Sequence, residues 1–462
     1  LGNALQEQGD LTAAINCYND ALQLNPNYSD AHYNLGNALQ EQGNLTAAAN
    51  SYRTALRLNE NFPDAHNNLG KTLHAKGELT AALSHHLRAL ELDPNHSKSL
   101  YKIGLAQAAK GNIKDSKNSL HKAIELNPGN TAALFVLTMD FYSSEDSEEL
   151  AQKLDKASRT GLSKKGQSML EFALANFHHK KKEYLQASQH LKNANNLKLS
   201  FRASDLNNHL ERAKEVAILA RQINEGSSSD GAGMIFIVGA PRCGSTLLES
   251  VLTMNPNILD LGESTALSQS FYAIKDNTHT NLSLSAIYSE KTNTRAKGFT
   301  HSVDKNLYNY KFSEAIARAL PAAKIVHCHR HPLDNILSML RSNLQTGNNY
   351  TSDPSDAARF LVHQKQTINS LKSKYEDNIF SFDYDKFTSQ PEKTLRPLIN
   401  WLELDWKEAF LHPEESNRII NTASVVQARQ PINNNSVGNW RKYKELLKPA
   451  EAILRDSGIF NL

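Results

Sequence analysis

A Leu-Gly step recurs at a fixed interval through the first part of this 462-residue chain: Leu1-Gly2, Leu35-Gly36, Leu69-Gly70 and Ile103-Gly104 stand 34 residues apart. Gly9, Gly43, Gly77 and Gly111 keep the same step, and so do Pro26, Pro94 and Pro128, with Glu60 at the proline position of one unit. Small or polar residues, Ala13, Ala47, Ala81 and Asp115, follow each of those second glycines. A period of this length is too long for one element. It suits a pair of antiparallel helices that cannot bury its apolar face alone and must stack on its neighbours. The second glycine of each unit belongs in the turn between the helices, and each proline stops or starts a helix by removing an amide donor.

The spacing matches the tetratricopeptide pattern. A further unit is expected over Leu170 to Leu197, where Phe172, Ala173, Ala175, Tyr184, Ala187 and Ala194 fall at similar offsets, preceded by a more irregular helical pair over Ser144 to Lys165. With a last helix from Ala203, the array is predicted to cover residues 1–222. The chain starts at Leu1 inside a repeat and without methionine, so upstream sequence is expected. Such an array presents an extended concave face to peptides or proteins. Asn34 and Asn68 precede successive Leu-Gly steps and follow Ala31-His32 and Ala65-His66. They resemble the asparagine ladder in the tetratricopeptide domain of the protein-modifying N-acetylglucosamine transferase, where amides pair with both donors and acceptors of a peptide backbone. Lys102 interrupts the row in the next repeat.

Composition narrows the remaining classes. Basic and acidic side chains nearly balance, 51 against 48, so no global field favours nucleic acid or an anionic membrane. Three scattered cysteines, Cys17, Cys243 and Cys328, make neither a disulfide framework nor a zinc site and fit a reducing, cytoplasmic compartment. No apolar run approaches the roughly 20 residues of a spanning helix.

Residues 223–233 contain Glu225-Gly226-Ser227-Ser228-Ser229-Asp230-Gly231-Ala232-Gly233, small and turn-forming, and read as a linker. Residues 234–462 are then a second domain. Met234 to Val238 is a continuous apolar run, read as a buried strand, and Ser245 to Met254 reads as a helix. Between them lies Gly239-Ala240-Pro241-Arg242-Cys243-Gly244-Ser245-Thr246, the frame of a phosphate-binding loop with Ser245 where a triphosphate-binding lysine would stand. The loop predicts an anion cradle of amides at a helix N-terminus for a 5′-phosphate-like group, without triphosphate or metal machinery. A second strand is expected within Lys324-Ile325-Val326-His327-Cys328-His329, ending at Arg330, with Pro332 opening a helix that carries Ser338. A cation at a strand's carboxyl end plus a hydroxyl on the next helix suits a second phosphate. His327 and His329 read as packing or hydrogen-bonding residues, because no acidic partner has zinc spacing. The fold class is therefore a helical repeat solenoid followed by an α/β, P-loop-like domain with a mostly parallel sheet flanked by helices.

These motifs resemble the sulfotransferases. Gly239 to Leu247 is similar to their P-R-S-G-T-T-L loop, and Asp260-Leu261-Gly262-Glu263 to the following G-E element. Arg330 with Ser338 resembles their nucleotide 3′-phosphate station. Thr422-Ala423-Ser424, Gln427 to Pro431 and Ser436 to Tyr443 resemble the C-terminal segment of bacterial tetratricopeptide-sulfotransferase fusions, relatives of the tyrosylprotein sulfotransferases. The resemblance implies 3′-phosphoadenosine-5′-phosphosulfate as donor and no metal. Its 5′ end would be held by Arg242, Cys243, Gly244, Ser245 and Thr246, its 3′-phosphate by Arg330 and Ser338, with Tyr384 near the nucleotide. It implies Glu263 as catalytic base, Lys305 and Arg242 as catalytic cations and Ser424 as an aid at the transferring group. The implied acceptor is a hydroxyl, with a peptide tyrosine on the repeat array one candidate beside a saccharide or small metabolite. The chain departs from the family at Cys243, where serine is usual, at Ser245, at Val426, and at Asn433-Asn434-Asn435. The competing expectation is a repeat-based adaptor whose α/β domain senses a nucleotide without catalysis.

Overall fold

The computed structural model describes residues 1–276, 282–292, 298–344, 347–416 and 426–460. The chain divides into two compact units, Leu1–Gly166 and Gln167–Leu462. The first is a succession of antiparallel helices: α1 Gly2–Glu7, α2 Leu11–Leu24, α3 Ser29–Gln42, α4 Leu45–Leu58, α5 Pro63–Ala75, α6 Leu79–Leu92, α7 Ser97–Ala109, α8 Ile113–Leu126, α9 Thr131–Asp140 and α10 Ser147–Ser158. Gly43 ends α3 at a φ of 91°, and Gly9, Gly77 and Gly111 have φ of 87°, 84° and 88°, so the second recurrent glycine makes the left-handed turn that a side chain would strain. The first recurrent glycine serves packing instead. A Cβ on Gly36 would come within 2.6 Å of the Tyr52 ring, so its absence lets α3 and α4 approach. Asp10 and Asn44 cap α2 and α4 by accepting from the amides of Ala13 and Ala47. Over Ser144 to Lys165, where an irregular pair is expected, one helix, α10, stands against α9, because the chain turns at Thr160-Gly161 before the next helix begins.

That next helix is α11, Lys164–Lys180, followed by α12 Tyr184–Phe201 and α13 Leu206–Ala220. The sequence places these helices with the repeats; beyond Gly166 they lie in the second compact unit. After them come β1 Met234–Gly239, α14 Ser245–Leu252, β2 Ile258–Asp260, α15 Ala266–Lys275, α16 Leu284–Thr292 and β3 His301–Asp304. The chain continues with α17 Ser313–Ala319, β4 Lys324–His329, α18 Pro332–Arg341, α19 Pro354–Lys372 and β5 Ile379–Asp383. It closes with α20 Tyr384–Ser389, α21 Pro391–Trp401 and α22 Lys444–Asp456. Polar side chains tie the first three helices to the α/β layers. Asn195 of α12 donates to the Leu340 carbonyl at 3.1 Å, Arg341 of α18 donates to Asn176 of α11 at 3.2 Å, and His209 of α13 stacks on Tyr308 at 5.0 Å. Lys198 is buried with its amine on the Leu344 carbonyl at 2.6 Å, and burial first of all pushes that amine down to about 8. The expected linker is also fixed: Gly226 donates to the Arg318 carbonyl, and a Cβ there would collide with the Ala319 carbonyl at 2.2 Å.

The five strands are all parallel, in the order β2-β3-β1-β4-β5. Ile235, Ile237, Val326, Cys328 and Phe382 on one face pack with Leu248, Val251, Leu395 and Leu398 from α14 and α21. On the other face Phe236 packs against Tyr288 of α16. β1 lies at the switch point, with β3 on one side and β4 on the other. In open parallel sheets the carboxyl ends of the strands beside such a point form the natural ligand crevice.

Candidate active site

The loop after β1 leaves the sheet at that switch point. Arg242 (φ 67°) and Gly244 (φ 101°) both take left-handed backbone, and Gly244 then caps α14. The positive φ at Gly244 is matched by a close approach, since a Cβ would stand 2.0 Å from Cδ2 of Tyr384. The loop therefore presents backbone to the Tyr384 ring, and Ser245 and Thr246 begin the helix, whose N-terminus puts the positive end of its dipole at the loop. Cys243 points inward, fully buried, and the Cys328 thiol donates to its carbonyl at 3.4 Å. Burial pushes the Cys243 thiol up, but hydrogen bonds from Cys328 and Ser245 outweigh it and leave it below the usual value. The cysteine that replaces the usual serine thus supports the loop from beneath.

The second expected station is adjacent. Arg242 Nε donates to Ser338 Oγ on α18 at 3.2 Å, which joins the loop to the hydroxyl predicted for the other phosphate. Arg330, at the end of β4, lies over the Tyr384 ring at 4.9 Å and donates to the Ser436 carbonyl and hydroxyl at 3.1 and 3.2 Å. Its Nε is 3.6 Å from Asp385, whose carboxyl is raised above its ordinary range by burial. Asp334 accepts from the amides of Gly438 and Trp440 at 2.6 and 2.8 Å, and Trp440 stacks on His331 at 5.2 Å. Those bonds bring the C-terminal segment to Arg330. A cavity of about 790 Å³ lies at the carboxyl end of β4 and β5, and its lining includes His327, Arg330, Gln364, Lys365, Asp383 and Asp385.

The third cluster sits at the ends of β2 and β3. Lys305 follows β3 directly, and its amide donates to the Gly262 carbonyl at 2.9 Å, while Asn306 donates to the Ser264 carbonyl at 2.8 Å. These two bonds stitch the Lys305 segment to the Gly262-Glu263 turn. Lys305 Nζ, 1% exposed, reaches Glu263 Oε1 at 2.5 Å, and the Glu263 side chain is 59% exposed. On its other side stands Glu249, fully buried on α14, with Oε2 at 3.8 Å. Glu249 is a site residue that the sequence does not reveal, since a glutamate in a helix reads as a solvated face. The one available signal is its place four residues after the loop's Ser245, one turn along on the same side of α14. Asp304, next to Lys305, accepts from Tyr288 and Asn309 at 2.9 and 3.1 Å, and burial raises its carboxyl to about 7.

The strands thus bring together Arg242, Cys243, Gly244, Ser245, Thr246, Ser338, Arg330 and Tyr384 around one loop, and Glu263 with Lys305 around Glu249 of the helix it opens. Ser424 lies outside the described residues. Arg429 donates to the Ser416 carbonyl at 3.3 Å, and Arg441 lies over the Trp440 ring. Of the two ladder residues, Asn68 is engaged within its own unit, donating to Tyr33 at 3.1 Å and Asn37 at 2.9 Å. Among the described residues no group of three His, Cys, Asp or Glu side chains is arranged to hold a metal ion, and no helix is long and apolar enough to cross a membrane.

A phosphate-type loop at the switch point of a parallel sheet, beside a lysine-carboxylate pair, defines a group-transfer domain of the P-loop-like class, which follows a helical repeat array in the chain. Residues 234–408 match the model of the sulfotransferase family, and residues 2–43, 36–77, 63–96 and 97–130 match tetratricopeptide repeat models. The chain carries tetratricopeptide repeats and a sulfotransferase-family domain. It is 25% identical over 313 residues to an uncharacterized protein of Aquifex aeolicus (strain VF5), covering 62% of this chain and 41% of that protein. It is 22% identical over 235 residues to protein-tyrosine sulfotransferase 1 of Danio rerio, covering 45% of this chain and 65% of that one. The chain therefore spans less than two thirds of the length of either relative. Among solved structures, the sulfotransferase domain from the Synechococcus PCC 7002 olefin synthase aligns at a TM-score of 0.39 and 19% identity, covering 52% of this chain and 99% of that one.

Proposed function

We propose that this protein transfers a sulfonate from 3′-phosphoadenosine-5′-phosphosulfate to an acceptor hydroxyl, with a peptide tyrosine recruited by the repeat array as the acceptor. One observation carries the reading: Lys305 stands between Glu263 at 2.5 Å and Glu249 at 3.8 Å, and Glu249 belongs to the helix that the phosphate-type loop opens. A base, a cation and an anion cradle thus share one crevice.

The residues present fit the donor. Arg242 and the first turn of α14 would hold its 5′ end, Arg330 and Ser338 its 3′-phosphate, and Tyr384, pressed against Gly244, would border the nucleotide. The absence of a lysine at position 245 suits a donor without a β/γ-phosphate pair. The donor supplies a sulfonate on a phosphate leaving group. An oxygen–sulfur bond to the acceptor forms as the sulfur–oxygen bond to the phosphate breaks, and the acceptor proton passes to Glu263. A hydroxyl is a poor nucleophile near neutral pH, so a carboxylate base within reach lowers the barrier. Lys305 and Arg242 act on charge that grows at the bridging oxygen, and so favour the transition state over the ground state. Ser424 would assist at the transferring group, and the free cysteines Cys17, Cys243 and Cys328 suit a cytoplasmic setting.

Incubating the purified chain with sulfur-labelled donor and tyrosine peptides tests the reading. Labelled product from the wild type but not from Glu263→Ala is expected. Tight binding of 3′-phosphoadenosine-5′-phosphate with no transfer to any peptide, saccharide or phenol would replace it with the adaptor reading.

A further inference from the structure

Residues 436–443 belong to no strand, and side chains of other elements hold them beside Arg330. At the middle of the segment Asp334 of α18 accepts the Gly438 and Trp440 amides, one on each carboxylate oxygen, at 2.6 and 2.8 Å. At its end the Tyr443 ring, 2% exposed, packs against His179 of α11 and Tyr184 of α12, with centroids at 5.9 and 6.1 Å. His179 Nδ1 stands 2.8 Å from the Tyr443 hydroxyl, and its Nε2 stands 3.1 Å from an Arg341 guanidinium nitrogen. Arg341 lies on α18, the helix that also carries Asp334 and Ser338. His179 therefore touches both α18 and the end of the segment.

The chemistry of the three groups gives both bonds a direction. A guanidinium only donates, so Nε2 of His179 accepts from Arg341. A neutral imidazole then carries its proton on Nδ1 and donates it to the Tyr443 oxygen. Burial first of all, then Arg341, holds the His179 imidazole well below its usual proton affinity, which keeps it neutral. Asn176 of α11 accepts from the same guanidinium at 3.2 Å, so α11 grips α18 at two points while it reaches the segment through one.

We propose that His179 is a positioning residue for the donor: by bridging Arg341 and Tyr443 it sets residues 436–443 against α18, and so fixes the gap among Arg330, Ser338 and Ser436 that takes a 3′-phosphate; the proposal rests on the donor reading above.

Two observations support it. Arg330 donates to the Ser436 carbonyl and hydroxyl at 3.1 and 3.2 Å, so the place of the segment decides what the guanidinium exchanges when a phosphate arrives. A segment without ladder hydrogen bonds regains conformational freedom when an anchor is cut, and a ligand must then order it, which lowers affinity. The loop after β1, which would hold the 5′ end, is set instead by Gly244 against Tyr384. Loss of His179 should therefore reach the 3′-phosphate and spare the 5′ end. His179 and the segment both lie outside residues 234–408, so the match to the family model supplies neither.

Calorimetry on the full chain compares 3′-phosphoadenosine-5′-phosphate with adenosine 5′-phosphate, which lacks the 3′-phosphate. His179→Ala and Tyr443→Phe, the second removing a single oxygen from a buried ring, are each expected to weaken the first ligand ~5-fold or more and the second by less than ~2-fold. His179→Gln, whose amide both donates and accepts, is expected to recover most of that loss. Unchanged affinity for 3′-phosphoadenosine-5′-phosphate in Tyr443→Phe, or equal weakening of both nucleotides, would overturn the proposal, and Tyr443→Phe decides alone if His179→Ala does not fold. Failure of the donor reading looks different. A wild type that binds the two nucleotides equally has no 3′-phosphate station and removes both claims, whereas a preference for the 3′-phosphate that survives in the variants removes only the role of His179.

Discussion

Replacing Glu263 by glutamine separates catalysis from stability at this site, because the two carboxylates beside Lys305 differ in burial. Glu263 is 59% exposed, and its ion pair is screened on one side by water, so Glu263→Gln is expected to change unfolding free energy by at most about 1 kcal/mol. Glu249 remains at 3.8 Å to balance the buried ammonium. As the proposed base, however, Glu263 would be worth ~10²–10⁴ in turnover. Glu249→Gln should behave in the opposite manner. Two unit charges 4 Å apart interact by about 4 kcal/mol at an effective dielectric near 20, and breaking a buried pair typically costs about 3–5 kcal/mol. Lys305 keeps Glu263, and glutamine keeps the volume, so a loss of about 2–3 kcal/mol is expected. Urea unfolding followed by tryptophan fluorescence reads the first quantity, and labelled-donor turnover at matched pH reads the second. The reasoning is refuted if Glu263→Gln retains full turnover, or if it lowers stability as much as Glu249→Gln does.

Two further outcomes follow from the loop and from its neighbour on β3. Gly244→Ala forces a side chain onto left-handed backbone and 2.0 Å from Tyr384, so affinity for 3′-phosphoadenosine-5′-phosphate should fall ~10-fold or more by calorimetry; unchanged affinity would show that the loop and ring move apart freely. Asp304, raised to about 7 by burial, binds its proton more tightly in the native state than in the unfolded chain, where a carboxyl titrates near ~4. Native stability should therefore fall as pH rises from about 4 to about 7 and level off above, by up to about 4 kcal/mol from this group, and Asp304→Asn should flatten that slope in urea unfolding. Parallel slopes for the two proteins would rule out Asp304 as the source.

The sequence displays the repeat because its punctuation is conformational. Gly43 and Gly77 are needed at positive φ, Gly36 is needed where the Tyr52 ring lies, and such demands leave a period that survives substitution of the remaining positions. The phosphate-type loop is legible for the same reason, since Gly244 answers both to φ and to the approach of Tyr384. The function of α11 to α13 is less legible. Phe172 and Ala187 repeat the helix-pair pattern, but Asn176, Asn195, Lys198 and His209 direct polar atoms at Arg341, Leu340, Leu344 and Gly347 in the α/β layers. Nothing in a helical period says which surface a polar side chain will meet. Glu249 is hidden for a related reason, because its carboxylate gains meaning only once β3 delivers Lys305 to the same side of α14.

The partners of the three site cations differ in kind, and that difference bears on how the proposed reaction proceeds. Arg242 donates to a serine hydroxyl, and Arg330 donates to a serine hydroxyl and a carbonyl while its Nε lies 3.6 Å from the Asp385 carboxylate; the hydroxyl and carbonyl oxygens are neutral partners that a phosphate oxygen can replace with a stronger, charge-assisted bond. Lys305 instead faces two carboxylates, one buried and one open to water. On the proposed reaction Glu263 takes up the acceptor proton while negative charge grows on the bridging oxygen. The ammonium then loses one of its two counter-charges as the leaving group needs it, and its field is redirected toward the breaking bond. Glu249, out of reach of solvent, keeps the ammonium in place through that exchange. A lysine paired with Glu263 alone would be left buried and uncompensated at the same moment, which is the physical reason for a second carboxylate on the helix that the phosphate-type loop opens.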